Sequence, residues 1–143
     1  MKAFKTVVLL LAALAIVTGA ADMLLGVPGQ AALGVQLSAE AANDAVLNSQ
    51  FRFLAAIWLG LGLLLCLCVF RLERYGPVLD GVLAVVFLGG VGRILALVDQ
   101  GFPDTVFSIG FVVLAIAVEI VGMPALIGWH RKVRRARGGA ATP

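Results

Sequence analysis

The chain has 143 residues, 62% of them hydrophobic and 13% charged, with a mean hydropathy of +1.06. That composition excludes an ordinary soluble domain and implies one integral membrane domain covering residues 1–143. Eleven Lys and Arg against eight Asp and Glu give a formal charge of +3, and nearly all the basic residues lie between or beyond long apolar runs.

A hydrocarbon core of about 30 Å needs roughly 20 apolar residues per helix. Four windows qualify: residues 7–27, 51–70, 77–98 and 106–127. The expected fold class is therefore all-α, a four-transmembrane-helix bundle. Lys2, Lys5, the apolar run and Gly19, Ala20 and Ala21 also fit the outline of a secretory signal. The run continues through Val27, however, longer than a signal core of about 7 to 15 residues.

Positive residues flanking membrane spans are retained in the cytoplasm. Lys2 and Lys5 precede the first span, Arg71 and Arg74 lie in the second connection, and Arg131, Lys132, Arg134, Arg135 and Arg137 follow the fourth span. Nine of the eleven basic residues thus share one side. The loops on the other side hold Glu40, Asp44, Asp99 and Asp104 and no Lys or Arg, so both termini are expected in the cytoplasm.

In the first connection, residues 38–47 read as a short interfacial helix with Ser38 as N-cap, resting on the outer surface or serving as a lid. Asp99 and Asp104 bracket Gly101 and Pro103 and read as solvated residues of the outer turn, with Asp104, which immediately precedes the last apolar run, also placed to cap the fourth span. Ala15 with Gly19, Ala56 with Gly60, and Gly92 with Ala96 are pairs of small residues that support tight helix packing without specifying an interface. Gly89, Gly90 and Gly92 mark either a close helix crossing or a flexible stretch.

An ionisable side chain deep in a bilayer costs about 2.5 to 3.5 kcal/mol on insertion scales and is a functional-site candidate by default. Asp22, Arg52, Arg93 and Glu119 are such residues. Asp22 and Arg93 each lie five residues inside the outer boundary of their span, ~8 Å deep, and Glu119 lies thirteen residues in, ~20 Å deep. Side chains lean toward their own helix N-terminus, so Arg93 points down and Glu119 points up, across a Cα height gap of ~12 Å. Arg52, with Asn48 on its face, sits at the start of span two and leans toward the outer water. Ser108, Ala115, Glu119 and Gly122 align at helical spacing on span four. The candidate ligand-binding residues are therefore Arg93, Glu119, Asp22, Arg52 and Asn48, with Arg93 and Glu119 also readable as a structural ion pair.

Asp80 lies near the cytoplasmic end of span three and needs no special role. Cys66 and Cys68 point to nearly opposite helix faces, which prevents a disulfide or a shared metal. His130 is the sole histidine, so no metal site is expected, and no cofactor motif is present. The basic tail at 130–143 reads as a topology anchor and a site for anionic lipids, with no nucleic-acid partner expected.

The order and spacing of Asn48 and Arg52, Gly60 and Gly62, Gly89 to Arg93, Gly101 and Pro103, and Glu119 with Pro124 resemble a bacterial four-helix membrane family known as domain of unknown function 4345. The overall architecture is also similar to the small DoxX-type four-helix proteins. The resemblance implies an inner-membrane protein and supplies no activity. The leading expectation is a non-enzymatic protein whose outer half encloses a polar cleft for a small molecule or lipid headgroup, or docks a membrane partner or a second copy. A proton-coupled transporter using Glu119 and an isomerase using Glu119 with Asp22 are the alternatives.

Overall fold

The computed structural model describes the backbone of residues 1–138 and the side chains through residue 135. Four helices are long and apolar enough to cross a membrane, spanning Lys2–Leu25, Ala45–Phe70, Leu72–Gln100 and Val106–Arg135. Helix α1 covers Lys2–Leu25. A 3-10 turn at Val27–Leu33 and a short α2 at Ala39–Asn43 lead into α3, Ala45–Phe70. Helix α4 covers Leu72–Gln100. The last span comprises α5 at Val106–Ile116, a π-helical stretch at Ala117–Gly122, and α6 at Met123–Gly138.

Each span is longer than its apolar core. Lys and Arg are good helix formers, and α6 accordingly runs on through the basic residues that follow the apolar run. The rest of the expected tail, residues 139–143, lies outside the described residues. Helix α4 starts before Pro77 and bends at Tyr75, whose φ of −108° and ψ of 18° are not helical. A proline ring collides with the carbonyl four residues earlier, and the bend relieves that clash. Pro124 in α6 follows the π stretch directly, and the wider turn gives its ring room in the same way.

The first connection differs from expectation. Ser38 does cap α2, accepting 3.1 Å from the Ala41 N–H. The helix stops at Asn43, because Asp44 is extended and caps α3 by accepting 2.7 Å from the Leu47 N–H. What read as one helix over 38–47 is thus a short helix, a break and the start of span two. At the fourth span, Thr105 rather than Asp104 is the N-cap, accepting 3.1 Å from the Ser108 N–H.

The amino terminus and the last span end together, since the Phe4 ring lies 5.5 Å edge-on from Trp129 and 5.7 Å stacked on His130. This is the basic end, and the first and third connections form the loop end. The principal apolar core occupies the basic half, where Phe4, Val8, Leu65, Leu79, Leu83 and Met123 are buried. In the loop half burial is sparse: Ala15, Gly19, Val27, Ala55, Gly90 and Ser108 are the main buried positions.

Helices α1 and α3 form the closest pair. A Cβ on Gly19 would lie 2.6 Å from the Leu59 backbone nitrogen, and one on Gly62 would lie 3.0 Å from the Ala12 carbonyl. Among the small pairs, only Ala15 with Gly19 is buried at an interface, whereas Gly60 and Gly92 face open space. Gly19→Ala should therefore lower stability by about 1–3 kcal/mol through overpacking, while Gly60→Ala should leave it unchanged or raise it. Thermal unfolding of the two variants in one detergent checks this.

Candidate functional site

The loop half is held by polar contacts. At Gly26 the chain leaves α1 with φ at +68°, a left-handed value that suits glycine, and its N–H closes the last helical bond to the Asp22 carbonyl at 2.8 Å. Had α1 continued, the Val27 N–H would bond the Met23 carbonyl. Instead Asn48 and Arg52 stand between those two groups. The Val27 N–H donates to Asn48 Oδ1 at 3.1 Å, Arg52 Nε donates to the same oxygen at 3.3 Å, and Arg52 Nη1 donates to the Met23 carbonyl at 3.0 Å. One turn of α3 thereby completes the end of α1. A Cβ on Gly26 would collide with Asn48 Oδ1, so the approach requires glycine there.

The 3-10 turn is tied down at two further points. Gln30 Nε2 donates 2.8 Å to Asp22 Oδ1, and Ser108 Oγ donates 3.0 Å to the Leu33 carbonyl. The turn at Val27–Leu33 is therefore fastened to spans one, two and four. Deeper between α1 and α3, the Trp58 indole N–H donates 2.9 Å to Thr18 Oγ1.

Arg93 and Glu119 meet across α4 and the π stretch. Arg93 Nε donates to both carboxylate oxygens of Glu119, at 2.9 and 3.1 Å. Gly90 makes this possible, because a Cβ there would lie 2.7 Å from Glu119 Cβ. Of the three clustered glycines, Gly90 alone hosts the crossing, and Gly89 and Gly92 have open space beside them. The two partners are closer in height than their ~12 Å expected separation. Glu119 is level with Gly90, only three residues or ~4.5 Å from Arg93, because α4 extends to Gln100 and the helices cross at that glycine.

The guanidinium is only partly used. Its Nη1 and Nη2 groups have no partner among the described residues. Helical spacing continues the buried stripe Leu79, Val82, Leu83, Val86 and Gly90 onto Arg93, so the residue stands on the bundle-facing side of α4. Its side chain is nevertheless 42% exposed, against 12% for Glu119.

The five candidate residues thus form three groups: Arg93 with Glu119, Asp22 with Gln30, and Asn48 with Arg52 at the end of α1. No hydrogen bond or ion pair joins one group to another among the described residues.

A further polar cluster joins two residues to which the sequence reading gave no role. His130 is fully buried, and its Nδ1 lies 2.7 Å from Asp80 Oδ1. Because a carboxylate oxygen accepts, Nδ1 carries the hydrogen. Arg131 Nε approaches the other Asp80 oxygen at 3.6 Å. His130 Nε2 is buried without a partner, packed where a Cβ on Gly76 would lie 3.2 Å away. The signal for this pairing was depth: both residues lie near the basic end of neighbouring antiparallel spans, the same criterion that paired Arg93 with Glu119. Among the described residues no group of three or more His, Cys, Asp or Glu is arranged to hold a metal ion.

Residues 3–130 match the family described as Domain of unknown function (DUF4345). The chain belongs to that family. Searches among curated proteins and among solved structures return no match. The DUF4345 match takes in Asp22, Asn48, Arg52, Asp80, Arg93, Glu119 and His130, and ends one residue before Arg131.

Asp80→Leu should destabilise the protein by about 1–3 kcal/mol, since it leaves both buried nitrogens of His130 unpaired. Combining it with His130→Phe should recover part of that loss, because the ring contact with Phe4 is kept and no polar group is stranded. A double-mutant cycle in thermal unfolding measures the recovery.

Proposed function

We propose that this DUF4345 protein is a non-enzymatic, multi-pass protein of the bacterial inner membrane that binds an anionic small molecule or lipid headgroup in the outer half of its bundle. A membrane partner docked by an acidic group would use the same site. Both termini lie in the cytoplasm in this reading, which places the nine clustered basic residues there and the loop end outside.

One observation carries the reading. Arg93 is held through Nε by Glu119 while both terminal nitrogens stay unpartnered, on the bundle-facing side of α4 and 42% exposed. A guanidinium fixed at its base offers its remaining N–H donors in a planar fork, which suits a carboxylate or a phosphate. Glu119 orients the fork and balances its charge while the site is empty. Asp22, Arg52 and Asn48 form the rim, holding the 3-10 turn and the end of α1 above the opening. The engagement of Glu119 by Arg93 and of Asp22 by Gln30 favours binding over a proton relay or acid–base chemistry, each of which needs a carboxylate free to exchange its proton.

Native mass spectrometry of protein extracted gently from its own membrane tests the proposal. An anionic adduct on the native chain should be lost in Arg93→Ala and weakened in Glu119→Ala, where the guanidinium loses its orientation. Identical spectra for all three proteins would reduce the pair to an internal tie between α4 and the fourth span.

A further inference from the structure

A second feature lies in the opposite half of the bundle and does not depend on Arg93. Between α1 and the fourth span the helices part, leaving an open groove of about 480 Å³ with almost no polar surface. Leu10, Leu11 and Leu14 form one wall, and Gly122, Met123 and Trp129 contribute to the other. Along the fourth span the lining runs from Val118 to Trp129, eleven residues or ~17 Å. This is close to half of a ~30 Å hydrocarbon core, the depth of one leaflet.

The ends of the groove differ in character. Its deep end, at Leu14 and Val118, is apolar. Its basic end is marked by Trp129, 38% exposed, a residue type that favours the level of lipid headgroups. Continuing the lining residues Gly122, Ala125 and Trp129 by one helical step along α6 leads to Lys132. Lys132 is exposed and makes no ion pair among the described residues, whereas its neighbour Arg131 reaches Asp80.

We propose that this groove is a specific lipid site. It takes one acyl chain of an anionic phospholipid from the leaflet at the basic end, with the phosphate headgroup against Lys132. The apolar length accounts for the chain, and the unpaired cation beyond Trp129 accounts for the sign of the headgroup. A zwitterionic lipid fits the same groove but gains less from Lys132. One basic residue near a headgroup is worth about fivefold in binding.

The full-length protein in detergent is titrated with phosphatidylglycerol or phosphatidylcholine and read by native mass spectrometry. The expected result is one phosphatidylglycerol retained per chain, at about fivefold or greater preference over phosphatidylcholine. Lys132→Gln should remove the preference while leaving some binding of both lipids. Gly122→Leu should fill the groove and remove the phosphatidylglycerol bound there, whereas Arg93→Ala should leave that lipid in place. Gly122 has room for this change, since a Cβ there would meet only Val118 Cγ1, at 3.8 Å. Thermal unfolding of both variants confirms that they remain folded. Equal retention of the two lipids by the native chain would overturn the proposal, as would lipid retained undiminished in Gly122→Leu. Dimers in the native spectrum that Gly122→Leu converts to monomers would assign the groove to a second copy of the chain instead.

Discussion

A polar group placed in hydrocarbon has no water to bond, so it must find its partner within the chain. That constraint organises the loop half of this bundle. The Met23 carbonyl near the end of α1 and the Val27 amide beyond it, left open by the break at Gly26, are answered by Arg52 and Asn48 from α3. The Leu33 carbonyl is answered by Ser108, Asp22 by Gln30, and Trp58 by Thr18. Each of these bonds ties a connection or a neighbouring helix into place where apolar packing is thin. Among the described residues, the terminal nitrogens of Arg93 and the buried Nε2 of His130 are polar atoms left without such a partner. Their settings differ, since His130 is sealed between Phe4, Asp80 and Gly76 while the Arg93 side chain is 42% exposed.

The two halves of the bundle therefore do different work. In the basic half, large side chains from all four spans close a core, and the His130–Asp80 contact joins the last span to the third. In the loop half, α1 and α3 stay in contact through Gly19 and Gly62, and α4 meets the last span at Gly90. A rigid apolar base under a sparsely buried polar end is a suitable frame for a binding cleft. The packed base fixes helix directions, and the polar end can present donors without having to bury them.

The number of spans, their order and the partnership of Arg93 with Glu119 were legible in the sequence. Apolar length and side-chain lean depend only on local chain geometry. Helix boundaries were less legible, because charged residues with good helix propensity carry helices past their apolar runs, as in α6. The interruption of the first connection at Asp44 is not legible in the sequence, because Asp44 is as good a cap for α3 as Ser38 is for α2 and the apolar pattern does not mark which cap begins a span. The roles of Asn48 and Arg52 depended on where α1 stops, a matter decided by Gly26 and its contacts with another helix. The His130 cluster is hard to read from sequence because each residue suits the basic end of its span alone, and only the proximity of Phe4, Gly76 and Asp80 shows that the ring is buried.

Binding at Arg93 requires the loop half to be open along the inward face of α4. Single cysteines placed at two positions, in a background with Cys66 and Cys68 replaced by serine, test this with a water-soluble thiol reagent applied to membranes. Arg93→Cys lies deeper but continues the bundle-facing stripe; Leu95→Cys is nearer the loops but on the opposite face of the helix, where leucine is 59% exposed. The account predicts that position 93 reacts and position 95, facing lipid, does not. Protection at 93 with reaction at 95, or protection at both, would contradict it.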